Sequence, residues 1–161
     1  MNELRAFADG RWPDFRGLAA CTVAMADADI GPPLEDRLHG GRFGAEPTQF
    51  RRYPGTAAAP GGVTVWVLGD VVVGLEVRDP APPSSTLEEL GAPERTISSE
   101  LGAAWSQELW PSRGLVLHRR PGADDEPDRI AVGFGLAPFD VDAWEDDPLR
   151  WWRVERRSSR A

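Results

Sequence analysis

The chain has no lysine, and all 18 of its basic side chains are arginine. It has one cysteine, Cys21, and two histidines, His39 and His118. Each shortage removes a class of chemistry. A single cysteine cannot build a disulfide framework, and two histidines and one thiol at no ligand-like spacing do not make a zinc set. No apolar run approaches the ~18 residues that span a bilayer. Residues 1–10 lack the charged and apolar regions of a secretion signal. These absences imply a cytoplasmic protein with no membrane partner, no metal and no cofactor. A formal net charge of -8 argues against a nucleic-acid partner, because such binding rests on phosphate neutralisation. Arginine without lysine, beside 17 glycines and 15 prolines, suggests a genome rich in G and C, as in actinobacteria.

What is present is organised around residues 84–139. Thr86 stands before Leu87-Glu88-Glu89-Leu90, a short helix with a hydroxyl to cap it, and Gly91 and Pro93 stop it. Strands are expected after it at 105–110, 113–120 and 129–138. In the last of these, Ile130, Val132, Phe134 and Leu136 fall on one face, while Ala131, Gly133, Gly135 and Ala137 fall on the other. The bulky face is the expected core, packed between helix and sheet.

The same plan stands about sixty residues earlier. Ile30-Gly31-Pro32-Pro33 matches Leu90-Gly91-Ala92-Pro93, and Val73-Gly74-Leu75-Glu76-Val77 matches Val132-Gly133-Phe134-Gly135-Leu136. Strands are expected at 48–53, 63–68 and 71–78. The fold expected is therefore α+β: two tandem helix-plus-three-strand units forming a curved antiparallel sheet with helices on one face. Residues 1–80 hold an N-terminal segment and the first unit, and residues 81–161 hold the second unit and a C-terminal helix, in one compact body. That helix starts near Asp146 or Asp147, with Pro148 in its first turn, and ends in an arginine-rich run. At the other end Leu4, Phe7, Trp12, Phe15 and Leu18 suggest a short helix and a turn.

Helices ending in Leu-Gly-x-Pro, each followed by an aromatic-bearing strand and a Gly-Leu strand, resemble the beta-lactamase inhibitory protein fold. Related small outer-membrane assembly lipoproteins carry a single such unit. The resemblance covers roughly residues 20–139. It implies an antiparallel sheet and a binding style of function, and no contact residue is carried over. The chain lacks the secretion signal and paired cysteines of the secreted inhibitors.

Side-chain faces then suggest a surface. The Gly69-Asp70 turn places Val63, Val65 and Val67 with Val71, Val73, Leu75 and Val77 in the core, leaving Thr64, Trp66, Leu68, Val72, Gly74 and Glu76 on the opposite face. A three-residue loop ending at Arg113 pairs Val116 with Glu108 and adds Ser106, Glu108, Trp110, Val116 and His118 to that open face. Tryptophans dominate binding hot spots, and glycines within a strand mark close approach by another group.

The leading reading is a non-catalytic binding protein of inhibitor, immunity or adaptor type. Its protein partner docks on Trp66, Gly74, Glu76, Glu108, Trp110, His118, Gly133 and Gly135. The alternative is a small enzyme or small-ligand binder of specialised metabolism, with His118 and Glu108 in the site. A covered face is also open at this stage, if Trp144, Trp151 or Trp152 folds over it. Other candidates read as structure. The Asp27-x-Asp29 pair lacks further oxygen ligands, and Asp124, Asp125, Glu126 and Asp128 lack a calcium-loop pattern. His39 sits beside Gly40-Gly41, which is no phosphate cradle. Cys21 reads as a buried thiol.

Overall fold

The computed structural model describes residues 11, 12, 15, 20–39, 48–136, 142 and 144. The short helix and turn expected in the first 20 residues fall almost entirely outside them, Arg11, Trp12, Phe15 and Ala20 apart, and so does the C-terminal arginine-rich helix. Helix α1 covers Val23–Ile30, started by the Thr22 hydroxyl, which accepts a hydrogen bond from the Met25 amide at 3.3 Å. Gly31 ends it at φ 105°, a conformation that side chains with a Cβ rarely adopt. Helix α2, Ser84–Leu90, ends likewise at Gly91, φ 66°. Pro83 precedes it, and Thr86, expected as its cap, is a buried residue inside it.

Four strands come after each helix: β1 (Glu35–His39), β2 (Thr48–Tyr53), β3 (Val63–Leu68) and β4 (Val71–Arg78), then β5 (Arg95–Ser98), β6 (Ser106–Trp110), β7 (Leu115–Arg120) and β8 (Arg129–Leu136). All eight join one antiparallel sheet in the order β1-β2-β3-β4-β8-β7-β6-β5. This overturns the α+β expectation of two helix-plus-three-strand units: the described residues form mainly an eight-stranded sheet with two short helices. The strands missed are β1 and β5, the outer edges. Glu-Asp-Arg-Leu-His and Arg-Thr-Ile-Ser carry no apolar alternation, because a strand with one neighbour at the edge of a sheet buries little of either face.

The sheet has a core on each face. Both helices pack on one, here the helix face, where Ala26, Leu87 and Leu90 meet Val63, Val65, Val67, Val72, Leu75, Val77, Leu115 and Leu117. On the other, Leu109, Val116, Val132, Phe134 and Leu136 form a second core with Trp144.

Three register details correct the expected faces. A bulge between Trp66 and Val67 sets Val67 opposite Val72 while Val65 stays opposite Leu75. The extra residue turns Val72 inward and leaves Val71 37% exposed. Between β6 and β7, residues Pro111–Arg113 form a 3-10 turn, and Gly114 completes the connection in the left-handed region at φ 66°, ψ 31°. Glu108 therefore pairs with Leu117, not Val116, and a slip of one residue reverses every side chain. Trp110 thus joins the helix face, and Leu109 and Val116 the second core.

The third detail is β8. Its bulky residues Val132, Phe134 and Leu136 lie in the second core rather than between helix and sheet, so its glycines face the helix side. The space they leave is filled by the chain's own N-terminal aromatics. A Cβ on Gly135 would run into the ring of Phe15, and one on Gly133 would stand 3.0 Å from Leu117 Cδ2 and 3.8 Å from the Trp12 ring. The Phe15 amide fixes this segment by donating to the Arg113 carbonyl at 2.7 Å.

Because Gly135 makes room for Phe15, Gly135→Val is expected to destabilise the fold by about 1–3 kcal/mol through overpacking. The penalty should shrink when Phe15→Ala is already present, since neighbouring sites couple. Chemical denaturation of the two single variants and the double variant measures this. An equal penalty in both backgrounds would mean that the ring does not fill that space.

Candidate functional site

The eight residues expected to share an open face are divided by the sheet. Strand pairing sets Trp66 beside Gly74, and Gly74 beside Leu136. Glu76 lies beside Phe134, and His118 beside Val132. Trp66, Gly74, Glu76 and His118 are therefore on the second-core face. Glu108 pairs with Leu117, Trp110 with Leu115, Gly133 with Val77 and Gly135 with Leu75, which places all four on the helix face. Every one except Glu108 is buried.

Their partners are internal. Trp66 packs edge-on against Phe50 with ring centroids 4.9 Å apart, and Arg37 lies 4.6 Å over the Phe50 ring. Glu76 is buried and paired with the half-exposed Arg78 at 3.3 Å. Glu108 accepts from Arg119 at 3.2 Å, and Arg119 also holds Asp128 at 2.5 Å. The Asp128 carboxyl is held below the usual range, with the Gly122 amide as the largest cause and the Arg119 guanidinium next.

His118 is the most chemically suggestive residue. Its Nδ1 lies 2.8 Å from Ser99 Oγ, which also accepts from the Leu101 amide at 3.2 Å. A serine and a histidine in contact are the start of a nucleophile and base pair, but the surroundings here favour packing. The imidazole stands edge-on to Phe134 at 5.9 Å, and Phe134 in turn meets Trp144 at 5.3 Å. On the neighbouring strand Gln107 takes a 2.8 Å hydrogen bond from Trp144 Nε1 and donates to the Ser98 carbonyl and to Glu100. Burial pushes the His118 pKa down to about 4, so the ring is neutral at physiological pH.

The acid–base pairing expected between His118 and Glu108 is not formed. Gln107 is the cross-strand partner of His118, so Glu108, one residue on, points through the opposite face. Ser106, expected beside them on the open face, sits across from Arg119 on the helix face. Ser99 was not legible, because it comes after an edge strand that left no pattern. Nor do the two histidines meet: β1, which carries His39, and β7 are five strand spacings apart, about 24 Å. Cys21 is buried and is not part of a disulfide.

A second polar cluster, also missed, ties α1 to β1 and β2. Arg51, buried on the helix face, donates to both Asp27 oxygens at 2.7 and 2.8 Å and to Asp36 at 2.6 Å. Tyr53 donates to Asp27 at 2.8 Å and accepts from Arg51 Nε at 3.1 Å. Burial pushes the Tyr53 phenol up to about 12, against the pull of Arg51 and with help from Asp27. A phenol so held is a donor and not a base, and its partners satisfy one another, so the cluster is a clamp. Among the described residues no group of three or more His, Cys, Asp or Glu is placed to hold a metal ion. No described helix is long and apolar enough to cross a membrane.

Neither a protein-family model nor a curated protein matches the chain. Among solved structures it is similar to a DUF4309 family protein (YjgB) from Bacillus subtilis subsp. subtilis str. 168, at 15% identity and a TM-score of 0.45, over 84% of this chain and 93% of that one.

The depressed His118 pKa sets a pH dependence. Unfolded, the ring titrates near 6.5; folded, near 4. Between these values the unfolded chain binds a proton that the folded chain does not, so stability is full above about pH 6.5, falls toward pH 4 and levels off below it. The loss is roughly 3 kcal/mol. His118→Gln should remove that part of the slope in denaturation measured from pH 7 to pH 4. A slope unchanged by the substitution would show that the ring is not held neutral.

Proposed function

We propose that this is a non-catalytic, cytoplasmic binding protein of inhibitor, immunity or adaptor type, which takes an extended segment of a protein partner along the outer edge of β1. The observation that carries the reading is the exposure of Leu34 and Leu38, at 62% and 72%, beside and within the outermost strand of the sheet. An edge strand is a template for another chain. Leu34 and Leu38 fall on the same side of it as Asp36, which Arg51 already neutralises. The edge therefore offers two apolar positions around a satisfied charge. A partner strand with apolar residues at matching positions would bury both leucines, with backbone hydrogen bonds supplying affinity.

Two further observations support binding over catalysis. The centres of both sheet faces are occupied by the chain's own side chains, which leaves edges and loops as contact surface. His118 and Glu108, the pair on which an enzymatic reading rested, are separated by the sheet.

The two halves are also proposed to be copies of one unit, as the inhibitor resemblance implies. Support comes from the matching helix ends at Gly31 and Gly91, from four strands after each helix, and from the meeting of the last strands, β4 and β8, at the centre.

Selection of displayed random linear peptides on the intact protein tests the binding surface. Enriched peptides should carry alternating apolar residues and shift the β1 amide resonances, and Leu38→Asp should abolish their binding. Because Leu38 is exposed, that substitution should change stability by no more than about 0.5 kcal/mol. Peptides that bind Leu38→Asp as well as the parent would overturn the assignment.

A further inference from the structure

Residues 121–128 connect β7 to β8, and arginines frame them. Arg120 and Arg129 lie directly opposite each other in the strand register, a position where like charges destabilise a pair. The loop carries Asp124, Asp125, Glu126 and Asp128, so ion pairing would be the obvious relief. The carboxylate next to Arg129 in the chain is engaged elsewhere: Asp128 is held by Arg119 at 2.5 and 3.0 Å and by the Gly122 amide at 2.9 Å. Among the described residues neither Arg120 nor Arg129 makes a salt bridge. Arg120 lies over the Trp105 ring at 5.3 Å, a contact that steadies the guanidinium while its N–H donors remain unengaged by any carboxylate.

Both arginines line one open groove of about 590 Å³, together with Ala104, Gly122, Ala123 and Glu126. The groove is preformed by backbone. The Glu126 amide closes the loop by donating to the Ala123 carbonyl at 2.8 Å, and Gly122 is so close to the Glu126 and Pro127 carbonyls that a Cβ has no room.

We infer that this groove binds a small oxyanion, a phosphate or a carboxylate, between the Arg120 and Arg129 guanidiniums. Each guanidinium is a planar fork that matches two oxygens of such a group, and an anion between them converts the repulsion built into the register into attraction. Glu126 opposes the ligand from the same lining and weakens its hold. The site is independent of the β1 edge.

Titration of the isotope-labelled protein with inorganic phosphate and, separately, with succinate, each at constant ionic strength against chloride, tests the assignment. Saturable shifts of the Arg120, Ala123 and Arg129 amides are expected with at least one of the two, and the one that saturates names the ligand class. Arg129→Gln should weaken that binding by about tenfold or more, since it removes charge-assisted hydrogen bonds. Glu126→Gln, in an exposed loop, should strengthen it. The inference fails if neither anion saturates, if chloride produces the same shifts, or if both substitutions leave the affinity unchanged.

Discussion

Where β4 meets β8, Leu75 lies opposite Gly135 and Val77 opposite Gly133, so a bulky side chain on one strand stands beside none on the next. That single pairing joins two four-strand meanders into one sheet, and it also apportions volume between the faces. On the helix face the missing β8 side chains make a trough, which Trp12 and Phe15 fill. On the other face the same strand presents Val132, Phe134 and Leu136, enough apolar surface to found a second core. A sheet alternating bulky and absent side chains at its centre must be covered on both faces, because either face left open would expose a large apolar patch.

Each core holds polar groups that are costly to bury and that local geometry satisfies. On the helix face Arg51 meets two carboxylates and a phenol. On the other, Ser99 meets the imidazole of His118, which burial keeps neutral, and Gln107 meets Trp144. Replacing one member of such a cluster strands its partners in a low-dielectric setting, so both clusters select one arrangement of their strands over slipped alternatives. The Arg51 cluster fixes α1 and β1 against β2, and the His118 cluster fixes the turn after β5 against β6 and β7.

Legibility in the sequence tracked burial. The β2, β3, β4, β6, β7 and β8 strands were readable because their apolar and aromatic residues record buried faces, and Gly31 and Gly91 were readable because helix ends need positive-φ backbone. The edges β1 and β5 were not, since a polar strand with one neighbour resembles a loop. Faces were lost at single residues: the bulge beside Val67 and the left-handed Gly114 each add one position, and each inverts the faces of the strand beyond it. Asp27 and Ser99 were invisible as partners of Arg51 and His118 because their meaning arises only after distant segments dock. Trp66 and Trp110 were recognised as unusual, but tryptophan on a strand marks a large buried surface as readily as a contact surface.

With no lysine, every cationic task falls to arginine, and the tasks separate by geometry. Arg51 is enclosed and fully partnered. Arg119 bridges Glu108 and Asp128 across the end of the sheet. Arg37, on β1, sets its guanidinium over the Phe50 ring. Arg120 shares the aromatic contact of Arg37 and the loop neighbourhood of Arg119, yet it stands against another arginine. A protein with net charge -8 has an excess of carboxylates, so an arginine pair without a salt bridge at the two ends of an acidic loop is maintained by register and backbone closure against electrostatic preference. The sheet's faces are committed to folding; the positions at which the fold holds groups in a costly arrangement lie beyond them, at the loop between β7 and β8 and along the edge of β1.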